Sequence, residues 1–139
     1  MTRDELIAQA RTYLRVRWRH QGQHRDGGVD CVGLLVALAR DFGMTVQAPT
    51  NYHHHPSDAL LLSTILDYCD EVPKDQRQAG DFLFFRNLSD GTWHMAIQTE
   101  HGMIHSAAIY RMVVEHRIAD EWASRLSRVY RLKGLTDGR

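Results

Sequence analysis

Apolar positions recur at helical spacing in the first half of the chain and fall into short, turn-bounded runs in the second. Leu6, Ala10, Tyr13 and Leu14 repeat every three or four residues behind Thr2 and Glu5, which stand at capping-box spacing, and predict a helix to about residue 14. Arg15 to Asp30 is rich in Gly, His, Gln and Arg and reads as a surface loop, the natural rim of a site. Cys31 to Phe42 is apolar on nearly all sides and ends at Gly43, which predicts a central, largely buried helix. After the polar stretch Gln47 to Pro56, Ser57 caps a third predicted helix through Leu60, Leu61, Ile65 and Leu66 to about Tyr68. Beyond Pro73 the runs Phe82–Phe85, Trp93–Ile97, Gly102–His105, Met112–Val114 and Arg128–Leu132 read as strands. Asn87 to Gly91 and Glu100 to Gly102 are short enough to be hairpin connections, which favours an antiparallel meander. The expected fold is α+β, with N-terminal helices packed on an antiparallel sheet of five to six strands.

At 139 residues, one domain spanning 1–139 is expected, large enough to hold a core without disulfides or metals. Seventeen basic and seventeen acidic side chains cancel, so no global field draws the chain to nucleic acid or to an anionic membrane. No apolar run approaches the roughly 20 residues of a membrane span. The opening Met1-Thr2-Arg3-Asp4-Glu5 lacks the profile of a secretory signal, so cytoplasmic synthesis is expected, with the place of action open. Cys31 and Cys69 are read as reduced thiols, Cys69 as a small core residue carried on a helix.

Cys31 carries the chemistry. It opens an apolar helix directly after the glycine turn Gly27-Gly28, where unpaired N–H groups and the positive helix end favour a thiolate. A catalytic base for such a thiol comes from far away in sequence. His94 lies on a predicted strand, its neighbours Trp93 and Met95 facing the other way, and His105 ends the next strand. Adjacent antiparallel strands are about 5 Å apart, so the two histidines fall side by side on one face. The triad reading makes Cys31 the nucleophile, His94 the base and His105 the group that orients His94. His101 is near enough in sequence to compete with His105 for the third role. The backbone N–H of Cys31 and a donor from the preceding loop would hold an oxyanion.

Four segments together resemble the NlpC-type cell-wall cysteine peptidases of the papain-like superfamily. They are Asp30-Cys31-Val32-Gly33-Leu34, Gly80-Asp81-Phe82-Leu83-Phe84-Phe85, His94-Met95-Ala96-Ile97 and Ile104-His105-Ser106-Ala107, and their order and spacing match across roughly residues 5 to 133. The resemblance implies a papain-like fold and hydrolysis of peptide crosslinks in peptidoglycan, at the γ-D-glutamyl to diamino-acid bond, with no metal or organic cofactor. Its partners would be peptidoglycan stem peptides. The pre-cysteine segment Arg17-Trp18-Arg19-His20-Gln21-Gly22 departs from the family's usual tyrosine-bearing motif and puts Trp18 where that tyrosine lines the substrate site, with His20 beside it. Val32 in place of the usual serine, with His20-Gln21-Gly22, is similar to the phage and prophage tail-associated branch, which implies phage-tail proteins as further partners.

Other features have plainer readings. Asp30 serves as N-cap of the Cys31 helix, as a contact to a substrate amine, or as both. His53-His54-His55 invites a metal reading, but consecutive residues on an extended chain point alternately, which favours a solvated loop. That tract would otherwise border the substrate groove, with Tyr52 as an aromatic wall. Asp81 reads as a turn residue, and Arg15, Arg17, Arg19 and Arg25 as a solvated basic edge or as contacts for stem-peptide carboxylates. Two rival functions remain on the same residues: a transferase that resolves the thioester with an amine, and a non-catalytic tail-assembly or wall-binding module.

Overall fold

The computed structural model describes residues 1–44, 67–87 and 89–137. The third predicted helix, Tyr52 and the His53–His55 tract fall outside them, and the two residues described before Cys69 form a turn. Helix α1 spans Arg3–Arg11 and starts on the expected capping box: Glu5 N–H donates to Thr2 Oγ1 at 3.0 Å, and Thr2 N–H to the Glu5 carboxylate at 3.2 Å. It is shorter than expected because the chain tightens after Arg11, with Tyr13 N–H bonding the Ala10 carbonyl three residues back. Tyr13 is nonetheless buried.

The pre-cysteine segment is more ordered than a loop reading suggests. Strands β1 (Gln23–His24) and β2 (Gly28–Val29) form a minimal antiparallel hairpin. Arg17 Nε donates to the Gly27 carbonyl at 2.9 Å, and Arg25 donates to the Thr12 carbonyl while lying 3.9 Å over the Tyr13 ring. Arg17 thus ties the segment to itself, and Arg25 holds it against the end of α1. Helix α2, Cys31–Asp41, follows with nine consecutive buried residues, Cys31 to Ala39. Each large aliphatic side chain buried here contributes about 1.5–3 kcal/mol, which makes α2 the centre of the core.

The remaining strands form an all-antiparallel sheet in the order β3-β8-β4-β5-β6-β7: β3 Cys69–Val72, β4 Phe82–Arg86, β5 Trp93–Thr99, β6 Gly102–Ala107, β7 Met112–His116 and β8 Leu126–Leu132. β4 to β7 are the expected meander. Phe82, Phe84, Trp93, Met95, Ile97, Ile104, Val113 and Tyr130 share one core with α1 and α2. Leu83, Phe85, Ala96, Met103 and Val129 form a second, smaller core on the other face, covered by Ile118, Leu126 and Trp122 of the short helix α3 (Asp120–Ala123).

Two sequence readings are corrected. Cys69 is not on a helix; it opens β3, opposite Leu132, and burial pushes its thiol up to about 12. Asp81 is more than a turn residue. It is fully buried, accepts two bonds from Arg131 at 2.8 and 2.9 Å and one from Arg3 at 3.1 Å, and takes the Gln78 N–H at 2.8 Å. A carboxylate taken out of water requires this full set of donors, and here they lock α1 and β8 to the start of β4. Among the described residues no helix is long and apolar enough to cross a membrane.

Candidate active site

Strands β5 and β6 pair only over Ile97–Thr99 and Gly102–Ile104. Toward Trp93 and Ala107 they part, and the start of α2 enters the split. On one side the Met95 backbone N–H reaches the Cys31 sulfur. On the other, Ser106 Oγ donates to the Val29 carbonyl at 2.7 Å. The helix start is thus gripped by both strands, and Cys31 faces a cleft of about 310 Å³ whose lining includes Trp18, Asp30, His94, Ile109, Trp122 and Arg125.

Asp30 adopts the extended N-cap conformation, with Oδ1 accepting from Gly33 N–H at 2.8 Å and Oδ2 from Gln21 N–H at 3.0 Å. Both oxygens hold the turn that presents Cys31, so the cap reading is the one the geometry displays. Helix-end N–H groups of Cys31 and Val32 point at the sulfur, as expected, but the electrostatic balance is opposite to expectation. Burial, aided by the neighbouring Asp30 carboxylate, outweighs them and pushes the resting thiol up to about 12. A thiol so shifted would need a base to take its proton before it could act as a nucleophile.

His94 is half-buried, with its ring centroid 5.2 Å from that of Trp122. His94 Nε2 lies 2.7 Å from His105 Nδ1, so the predicted side-by-side pair exists. His105 is fully buried, with Tyr110 and Trp122 rings at 5.8 and 5.5 Å. His101 is exposed, 3.6 Å from Glu100, and takes no part in this pair. His20 misses the cleft. It lies beside Trp18, ring centroids 6.5 Å apart, and lines a polar depression of the loop with Arg19 and Gln21.

One residue of this cluster was not singled out in the sequence. His116, at the end of β7, places Nε2 2.7 Å from His105 Nε2. The signal was present: His94, His105 and His116 recur at intervals of 11, which spaces them along three consecutive strands of the meander. Among the described residues no three His, Cys, Asp or Glu side chains are grouped to hold a metal ion.

Burial drives His105 down to about 2, and the neighbouring His94 and His116 add to the shift. The unfolded chain takes up a proton on this residue near pH 6.5 and the native state does not, so protonation favours unfolding and stability falls as pH drops below about 6.5. The expected slope from this residue is about 1.4 kcal/mol per pH unit. Urea unfolding of wild type and His105→Asn between pH 7 and 5 checks it: the variant should lose this slope, and equal slopes would contradict a neutral buried imidazole.

The architecture is that of an α+β protein whose cleft joins a helix-borne cysteine to a strand-borne histidine pair. Residues 15–131 match the NlpC/P60 family, and the chain belongs to it. Solved structures agree on the fold. A NlpC/P60 family protein from Bacillus cereus is 22% identical with a TM-score of 0.72 over 94% of this chain, which spans 40% of that protein's length. The NlpC/p60 domain of the peptidoglycan hydrolase SagA is 19% identical with a TM-score of 0.66, covering 93% of this chain and 97% of its own. RipD from Mycobacterium tuberculosis, described as a non-catalytic NlpC/p60 domain protein adapted to peptidoglycan binding, is 17% identical with a TM-score of 0.64, covering 96% and 97%. A search of curated proteins found no significant match.

Proposed function

We propose that this chain is a cysteine endopeptidase or amidase that hydrolyses peptide links of bacterial peptidoglycan. The observation that carries the reading is the shared cleft: Cys31 at the start of α2 and His94 on β5 line it together, and His105 backs His94 at 2.7 Å. His94 takes the thiol proton while the sulfur attacks the carbonyl carbon, forming a C–S bond. The C–N bond then breaks as the proton passes to the leaving amine, and water, deprotonated by His94, hydrolyses the thioester to a carboxylate and restores the thiol. Backbone N–H groups at the helix start, which point at the Cys31 sulfur, would hold the oxyanion. The γ-D-glutamyl to diamino-acid bond is the proposed target, and Val32 with His20-Gln21-Gly22 supports delivery with a phage-like tail.

The RipD comparison favours one second reading, a wall-binding module that keeps the fold without turnover. Digestion of purified peptidoglycan, with mass analysis of the soluble products, separates the two. Fragments with a new γ-D-glutamyl carboxylate and a new amine terminus are expected. Retention on peptidoglycan without any release would establish the binding module instead, and products capped by an added amine would mark a transferase.

A further inference from the structure

The histidine cluster does not end at the pair described above. His94 Nε2 meets His105 Nδ1 at 2.7 Å, His105 Nε2 meets His116 Nε2 at 2.7 Å, and His116 Nδ1 meets the Arg117 carbonyl oxygen at 2.8 Å. Each contact needs one proton, and an imidazole nitrogen either donates or accepts. Only the last contact has a member with a fixed role: a carbonyl oxygen accepts, so His116 Nδ1 carries a proton. In neutral His116 the Nε2 is then bare and accepts from His105 Nε2–H. Neutral His105 in turn has a bare Nδ1 and accepts from His94 Nε2–H. His94 is left with its proton on Nε2 and none on Nδ1.

We infer that His116 is a positioning residue which, anchored by the Arg117 carbonyl, sets the proton order of the three rings and holds His94 with Nδ1 unprotonated, ready to take the Cys31 proton. The inference rests on the proposed hydrolase reading for its catalytic consequence, but the proton order itself does not. His105 is the link that makes the order strict. It is fully buried between the Tyr110 and Trp122 rings, so a proton on the wrong nitrogen has no water to turn to. His116 is half-buried and packs against Tyr110, ring centroids 5.5 Å apart, so a ring of similar size substitutes there without a hole.

His116→Phe keeps the ring and removes the acceptor. The buried His105 N–H then has no partner on that side, and the stable arrangement puts its proton on Nδ1, donating to His94 Nε2. His94 is forced to carry its proton on Nδ1, facing away from His105, and cannot act as base. A base histidine held in the wrong tautomer loses up to about 10⁴-fold in kcat; partial mixing of the two orders here should still cost at least about tenfold, with KM changed less than about twofold. His116→Gln supplies a side-chain carbonyl at the same position and should restore most of the loss.

Long-range ¹⁵N–¹H imidazole spectra of the labelled full chain read the order directly and need no turnover. Wild type should show bare Nδ1 on His94 and His105 and bare Nε2 on His116, and His116→Phe should move the His94 proton to Nδ1. A proton on His94 Nδ1 in wild type overturns the inference, as does His116→Phe with wild-type kcat. The expected proton order in a wild-type protein that releases nothing from peptidoglycan would uphold the assignment and sink the hydrolase reading alone.

Discussion

Cys31→Ala is expected to abolish release of peptidoglycan fragments, by about 10⁴-fold or more, while leaving the fold in place. The magnitude follows from removing the attacking atom of the proposed cysteine–histidine unit, whose members would act together. The fold should persist because the exchange is small and because alanine is the best helix former at the opening position of α2. The alkaline behaviour separates loss of the nucleophile from misfolding. With the thiol pushed up to about 12 in the native state, the unfolded chain loses its proton first, near pH 8.5, and stability declines as pH rises above that value. The alanine variant should lose this part of the decline, with Cys69 still supplying its own. Turnover by Cys31→Ala within a factor of a hundred of wild type would remove the nucleophile from the account.

The position of Cys31 was legible in the sequence because it depends on local signals: a glycine turn, an N-cap aspartate and an apolar helix. The ionisation of its thiol was not, because that is decided by how deeply the split between β5 and β6 buries it. The N–H groups lie where a helix start puts them, yet the thiol shifts upward, since desolvation exceeds what those groups return. His94 and His105 followed from the two-residue period of strands. His116 escaped because Glu115-His116-Arg117 reads as a charged strand end, and only the pairing of β6 with β7 brings it to His105. The remaining differences have the same origin. β3 carries Asp70 and Glu71 at its centre and becomes a strand only by pairing with β8, and the ion pairs of Asp81 span 78 and 50 residues to Arg3 and Arg131.

Gly33→Ala should destabilise the protein by about 3 kcal/mol or more and remove activity, although a helix interior ordinarily gains about 1 kcal/mol from this exchange. Gly33 is the third residue of α2, and its backbone conformation makes no special demand. Space decides the sign. A methyl group there would overlap the carbonyl oxygen of Gly22 and come within 2.8 Å of its carbonyl carbon. Gly22 cannot yield, since it packs against the Gly28 carbonyl and its own carbonyl accepts the Asp30 N–H at 3.2 Å. To admit the methyl, the hairpin of β1 and β2 must lift off α2. That movement breaks the Asp30 cap on Gly33 and carries away the loop that bears Trp18 and Asp30, two walls of the cleft. Gly43→Ala is the control: Gly43 has φ +84° but open space around it, so alanine meets only the backbone penalty of about 1–2 kcal/mol and should leave turnover intact. Urea midpoints and fragment release for the two variants check the contrast. Wild-type stability in Gly33→Ala would mean that the helix and the pre-cysteine hairpin do not pack backbone to backbone, and with that the placement of Cys31 would need another cause.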